Sequence, residues 1–287
     1  MRIKLVSTLL LLPALLSAQE RVTVKGRIIN EQGEAVEYVQ VGVPKHQIGT
    51  ISTVDGRFEI TVPCDTLEFF HVSYEPTAYA VTGATDNVVV VLHEQELPPA
   101  VFIGGDTQEK YLLRSGKNLL GSLGSLVCCL QEGYSMGKEV GSVARAKKPF
   151  LVQDILFSVQ SSHIPGCVAS INIYRIEGEK ESFANVLHKP IYFDVAVSDN
   201  PRDYDIQPEE PLLLEPGQYF IAFQVVDWDE GSMRTFLATP KEERKPTDMC
   251  MFFGIHLKSS YLRDSALGKM QHLPVNIGIA VKGLEYQ

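Results

Sequence analysis

The sequence predicts an all-β protein made of two sandwiches in series, and three observations predict it. Apolar residues recur at every second position, as in Val22-Thr23-Val24 and Val39-Gln40-Val41-Gly42-Val43. That is the period of a half-buried strand, whose successive side chains point to opposite faces. Turn-forming residues cut these runs at short intervals, drawing on 22 glycines and 16 prolines, as in sandwiches and barrels. The length of 287 residues exceeds what one small sandwich of about 100 residues occupies, so two units are expected. The expected division is a leader at 1–18, a first sandwich at 19–95, a linker and weakly patterned segment at 96–137, and a jelly-roll-like sandwich at 138–287.

The leader comes first. Arg2 and Lys4 precede an apolar run from Val6 to Leu16, and Leu16-Ser17-Ala18 supplies small residues before Glu20-Arg21. This is the pattern of a secretory signal peptide. The run falls short of the roughly 20 apolar residues a membrane span needs, and no later segment reaches that length. Removing Arg2 and Lys4 with the leader leaves 24 basic against 35 acidic side chains, a net charge of −11. An acidic protein is a poor partner for nucleic acid or an anionic membrane surface. The densest basic spot, Arg145 to Lys148, reads as a solvated strand end.

In the first sandwich, Val22 to Ile29 alternates, Asn30 to Gly33 turns, and Val39, Val41 and Val43 alternate again. Thr50 to Thr53 and Arg57 to Val62 flank Asp55-Gly56, a strong short-range hairpin signal. Leu67 to Val72 and Val88 to Leu92 supply further strands. Five to seven strands with no helical period are expected here.

These residues resemble a known family. Gly26 to Asn30, Gly33, Val39 to Val41 and the run Gly49-Thr50-Ile51-Ser52-Thr53-Val54-Asp55-Gly56-Arg57-Phe58 are similar to the carboxypeptidase regulatory-like domain. The resemblance covers residues 22 to about 103. It implies a seven-stranded, transthyretin-like sandwich at the N-terminus of an exported Gram-negative envelope protein. In that family the domain is an accessory module without catalysis. Tyr74-Glu75-Pro76 departs from the family's usual Gly-Tyr, which bears on a local turn. His93-Glu94-Gln95-Glu96 has the His-x-x-Glu spacing of a zinc carboxypeptidase. A third ligand, a base and a large α/β body would also be needed, so a polar strand end is the expectation.

The following stretch, Glu96 to Gly105, resembles the one that follows this domain in TonB-dependent outer-membrane receptors. Only roughly 180 residues remain, too few for a barrel of about 22 strands at about ten residues each. Gln108 to Arg114 reads as one short helix. Beyond it Gly116, Gly121, Gly124, Gly133 and Gly137 break any long helix, and short strand with loop is expected.

From Val140 onward the alternation returns. Strands are expected at Phe150 to Val159, Cys167 to Ile176, Pro190 to Val197, Leu212 to Leu214, Tyr219 to Val226, Met233 to Ala238, Cys250 to Leu257 and Val275 to Val281. Eight or nine long strands with long loops suit a jelly roll. The five cysteines, Cys64, Cys128, Cys129, Cys167 and Cys250, match no zinc spacing. Export permits disulfides. Adjacent Cys128 and Cys129 are poorly placed to join each other, and Cys167–Cys250 is one open pairing.

Two loops carry candidate contacts. Asp199, Asp203 and Asp205 cluster oxygen ligands of the kind a calcium ion takes; a solvated acidic loop is the other reading. Asp227-Trp228-Asp229-Glu230-Gly231 reads as a hairpin turn carrying the only tryptophan. Trp228 beside Asp227 and Asp229 would stack on a sugar ring, or else cover the end of the core. No Gly-x-Ser-x-Gly elbow, phosphate loop or dinucleotide fingerprint appears, and the seven histidines show no metal spacing.

The expected function is therefore a non-enzymatic cell-envelope protein for binding, adhesion or structure. Its partner would be a glycan or an envelope protein, with no nucleic acid and no transmembrane span. Its place would be the periplasm, the outer membrane or the cell surface. The alternative is an accessory or regulatory component of a TonB-dependent uptake system, and a small hydrolase is a third reading.

Overall fold

The computed structural model describes residues 21–96, 104–114, 125–130 and 136–287. The expected leader and the stretches 97–103, 115–124 and 131–135 lie outside the described residues. Among the described residues the fold is all-β apart from one short α-helix and brief 3-10 turns.

The first sandwich has seven strands: β1 (Arg21–Asn30), β2 (Gln40–Val43), β3 (Ile48–Ile51), β4 (Arg57–Pro63), β5 (Thr66–Phe70), β6 (Thr77–Ala80) and β7 (Thr85–Leu92). They form two sheets, β4-β1-β7 and β3-β2-β5-β6. Alternation buries one face of each strand, so Val24, Ile28, Phe58, Ile60, Leu67, Phe69, Val88 and Val90 share one core. Phe58 meets Phe69 edge to face at 5.5 Å.

The Asp55-Gly56 hairpin expectation is corrected. The turn is there, but β3 and β4 belong to different sheets, so the turn crosses the sandwich. Gly56 takes φ +76°, and a Cβ there would collide with the Ile28 carbonyl oxygen. A glycine is therefore required on both counts.

The second sandwich contains β8 (Thr107–Leu113), β9 (Ser125–Cys129), β10 (Glu139–Ala146), β11 (Phe150–Val159), β12 (Ser161–Ser162), β13 (Cys167–Glu177), β14 (Ser182–Asn185) and β15 (Ile191–Val195). It continues with β16 (Arg202–Ile206), β17 (Leu212–Leu214), β18 (Gly217–Asp227), helix α1 (Glu230–Ala238), β19 (Cys250–His256), β20 (Ser260–Arg263), β21 (Gln271–Leu273), β22 (Asn276–Ile277) and β23 (Ile279–Tyr286). One sheet runs β14-β13-β18-β10-β20-β21, with β15 also on β13. Against it stand β16-β11-β23-β8, with β17 on β11, and β12-β19-β22, with β9 on β19. Neighbours in space are distant in sequence, as a jelly-roll-like sandwich requires. Inward residues from all three sheets make the larger core. At its centre Phe157 stacks on Phe223, with centroids 4.6 Å apart.

Three local expectations fail here. The helix expected at Gln108 to Arg114 is the strand β8, paired antiparallel with β23. Gln, Glu, Lys and Leu favour helix weakly, and partner strands override such preferences. Ion pairs Lys110–Glu285, at 2.7 Å, and Lys282–Glu109 tie this edge strand down. The strand expected at Met233 to Ala238 lies in α1. Met233, Phe236 and Leu237 have the three- and four-residue spacing of a helix face. The Asp229 side chain accepts from the Ser232 N–H as N-cap, so residues 227–231 are a strand end and helix start rather than a hairpin turn. Third, the disulfide joins Cys129 to Cys250, not Cys167 to Cys250. Cys129 stands directly across from Cys250 in the β9–β19 register, whereas Cys167 opens β13 in the facing sheet.

The two sandwiches dock closely. A Cβ on Gly49 would collide with the Ala266 backbone. Tyr38 donates its hydroxyl to Asp227 at 3.0 Å and meets Tyr192 edge-on at 5.0 Å. The Ser73 hydroxyl donates to the His188 carbonyl, the Ser265 hydroxyl to the Gln47 carbonyl, and the Lys269 N–H to the Gln47 side chain. Val72 of the first unit is part of the larger core.

Candidate functional site

The site grows out of β10. This strand lies between β18 and β20, and Glu139 stands opposite both Gln224 and Arg263. Strand alternation sends neighbouring side chains to opposite faces. Glu139 joins a polar cluster on the outer face, while Val140 packs against the larger core.

The outer cluster is buried. Glu139 and Arg263 are 2 % and 7 % exposed, and Oε2 of one is 2.9 Å from Nη2 of the other. The contact is ionic, without an aligned hydrogen bond to Oε2. Glu139 Oε1 accepts from the Tyr174 hydroxyl and the Asn172 amide, both at 2.8 Å. Arg263 donates to the Tyr174 hydroxyl at 2.9 Å and, across the unit boundary, to the Gln40 side-chain oxygen at 3.0 Å. Burial pushes the Glu139 carboxyl above its usual value; the Arg263 guanidinium, the Tyr174 hydroxyl and the Asn172 amide pull it back. Burial also pushes the Tyr174 phenol up. A buried charge persists only when paired and hydrogen-bonded, and this pair is.

Beside the cluster, between the sheet of β10, β18, β20 and β21 and the sheet of β9 and β19, a slot of about 210 Å³ opens. Its apolar walls are Leu126, Val140, Phe223, Val225, Phe253, Leu262 and Leu273. Cys128 and Cys129 line it from β9, and the charged lining residues are Lys138, Glu139, Arg263 and Asp264. The Cys129–Cys250 bridge pins β9 to β19 and so holds one wall in place.

The residues singled out in the sequence are placed elsewhere. Asp227 accepts from Tyr38 and from the Trp228 N–H, so it serves the boundary between units. Asp229 caps α1, and its hydrogen bonds with Ser232 hold its carboxyl below the usual range. Trp228 is half-buried and packs against the larger core, which is the core-covering reading. Asp203 and Asp205 lie two apart on the exposed side of β16, about 7 Å along the strand. Asp203 accepts from Ser158, and Asp199 is 3.7 Å from His163. Among the described residues no three His, Cys, Asp or Glu side chains converge as a metal site, so the calcium expectation finds no ligand set. His93 pairs with Glu31 at 2.8 Å. Sequence reading missed Glu139, Arg263 and the slot, because their partners lie from about 30 to more than 220 positions away.

No family model and no curated protein matches the chain. Among solved structures, a DUF3823 family protein from Bacteroides ovatus is 12% identical, with 72% of this chain and 97% of that chain covered and a TM-score of 0.21. A DUF3823 family protein from Parabacteroides merdae is 8% identical, with 72% and 98% covered and a TM-score of 0.21. The infectious bursal disease virus Gx strain structure is 9% identical, with 96% and 61% covered and a TM-score of 0.28. Likeness at this level assigns the chain to none of these families.

Proposed function

We propose that this is an exported, non-catalytic binding protein of the cell envelope. Its ligand enters the slot of the second sandwich, and the first sandwich buttresses the sheet behind it. One observation carries the reading: the slot's walls are mostly apolar, while its buried charged residues are committed to each other. Glu139 already holds Tyr174, Asn172 and Arg263. Such a carboxylate is poorly placed to move a proton for a substrate. Convergent apolar walls with a few polar groups are the usual make-up of a ligand site. Export rests on the Arg2 to Ala18 pattern.

The test uses the mature protein and its Leu262→Trp variant, whose larger ring occupies the slot. Both are immobilised and exposed to envelope extract and to a glycan array. Retention of one defined component by the wild type and not by the variant is the expected result. Equal retention by both, or none by either, overturns the reading. So does turnover of any member of a polysaccharide and peptide substrate panel.

A further inference from the structure

We infer that β7 is a pairing edge for a second copy of this chain, which adds its own β7 antiparallel about a two-fold axis at Val90. The inference concerns the first sandwich and stands apart from the slot.

The edge is open. The sheet β4-β1-β7 ends at β7, and among the described residues no strand but β1 pairs with it. Native sheets commonly blunt an exposed edge with a short strand, proline, lysine or a bulge. β7 runs eight residues, from Thr85 to Leu92, with neither proline nor lysine. Its one register shift against β1 lies before Val88. Val89 and Val91 are 63 % and 40 % exposed, while Val88, Val90 and Leu92 belong to the core behind them.

Backbone direction agrees. A Cβ on Gly26 would collide with the Val88 carbonyl oxygen, so Val88 turns its backbone groups toward β1. Successive residues of a strand alternate in this respect. Val89 and Val91 therefore turn their N–H and C=O groups to the open edge. The His93 carbonyl, two residues further, accepts from the Glu75 N–H at 2.8 Å, and the Gln95 N–H donates to the Ser73 carbonyl at 3.0 Å. Residues 73–75 thus close the edge beyond Leu92.

The open stretch fixes the partner strand and its register. It runs from Val88 to Leu92, between the register shift and the closed end, and is centred on Val90. A two-fold axis there sets Val89 opposite Val91 of the second copy, and Val91 opposite Val89. The edge-facing groups of both valines are then paired, and their exposed side chains cover each other. Such an isologous contact closes at two copies instead of growing into a fibre. Charge supports the antiparallel sense. Beside the early part of β7 lies a groove lined by Lys25, Arg27 and Arg57 against Glu59 and Asp86. At the late end stand Glu94 and the Glu31 that pairs with His93. Antiparallel pairing sets the acidic end of one copy beside the more basic groove of the other. A parallel partner would set acidic end against acidic end.

The experiment is sedimentation velocity of the mature protein from about 1 to about 500 µM, a range suited to a contact smaller than a standard interface. A reversible monomer–dimer equilibrium is expected. The two-fold repeats every change, so Val89→Lys should weaken the dimer about tenfold. The double variant Val89→Lys/Val91→Glu should restore it, because each lysine then faces a glutamate of the second copy. Should a variant fail to fold, amide exchange of the wild type reads the same contact. Raising its concentration should protect the Val89 and Val91 N–H groups and leave that of Val90 unchanged. A monomer at every concentration overturns the inference. So does a dimer that Val89→Lys leaves intact, a double variant no better than the single one, or a monomer that captures an extended foreign strand at β7.

Discussion

His71 shows how one buried side chain acquires a pH dependence. It follows β5, is 8 % exposed, and its Nδ1 accepts the Ser73 N–H at 3.2 Å. An accepting Nδ1 requires the neutral ring with its proton on Nε2, which faces the Tyr192 hydroxyl at 3.5 Å. Burial pushes its pKa down from 6.5 to about 4. Above pH 6.5 the ring is neutral in both folded and unfolded chains. Between 6.5 and 4 the unfolded chain takes up a proton that the folded ring refuses, so stability falls as pH drops. The loss between pH 7 and pH 5 should be about 2 kcal/mol from this group alone. Urea unfolding at the two pH values should show that much less loss in His71→Asn; an unchanged difference would refute the assignment. Arg263 makes a second case. Arg263→Ala leaves Glu139 buried and unpaired, and should cost about 3–5 kcal/mol. Adding Glu139→Gln should recover part of that cost, measured as a double-mutant cycle. Neither residue stood out in sequence, since an isolated Glu or Arg in a strand reads as a solvated position.

Among the elements, strands with strict alternation were the most legible. β1, β4, β7, β11, β13 and β18 fall where the apolar period places them. The failures share a cause. β8 is polar and exposed over most of its length, so it carries almost no period. It is a strand because β23 offers a free edge with matching charges. α1 is nine residues long, too short for its helical spacing to outweigh a β context. The disulfide belongs to this scale too. It joins β9 to β19 across 121 positions, and closing so long a loop in the unfolded chain is worth roughly 2–5 kcal/mol. Reduction, or the Cys129→Ala/Cys250→Ala double variant, should lower the denaturant midpoint accordingly. It should also loosen the slot wall, visible as faster amide exchange along β9. A midpoint unmoved by reduction would contradict this role.

The whole molecule behaves as one body because the units share buried groups. Tyr38, Ile51, Val226 and Ala266 form a small core that draws on both, and Arg263 bonds Gln40 across the boundary. Gly49 packs against the Ala266 backbone with no room for a side chain. Gly49→Val should therefore separate the units without unfolding either. The expected signs are a larger radius of gyration in solution scattering, an unchanged far-ultraviolet spectrum, and two calorimetric transitions where the parent shows one. A single transition with unchanged radius would show that the docking does not depend on this contact. The run from Gly49 to Phe58 thus has a second use here: its first glycine lets the second sandwich come near.

The amino-acid order by itself determined the fold class, because a period of two is a local property and needs no partner to be read. It also marked the turns, where Gly and Asp permit backbone shapes other residues resist. Everything that depends on which strands become neighbours was decided by the tertiary structure alone. The Cys129–Cys250 pairing, the Glu139–Arg263 pair and the slot all join positions more than 100 apart. The physical reason is that a residue's chemistry is set by burial and by the groups opposite it, and strand order, which a local pattern does not encode, sets both.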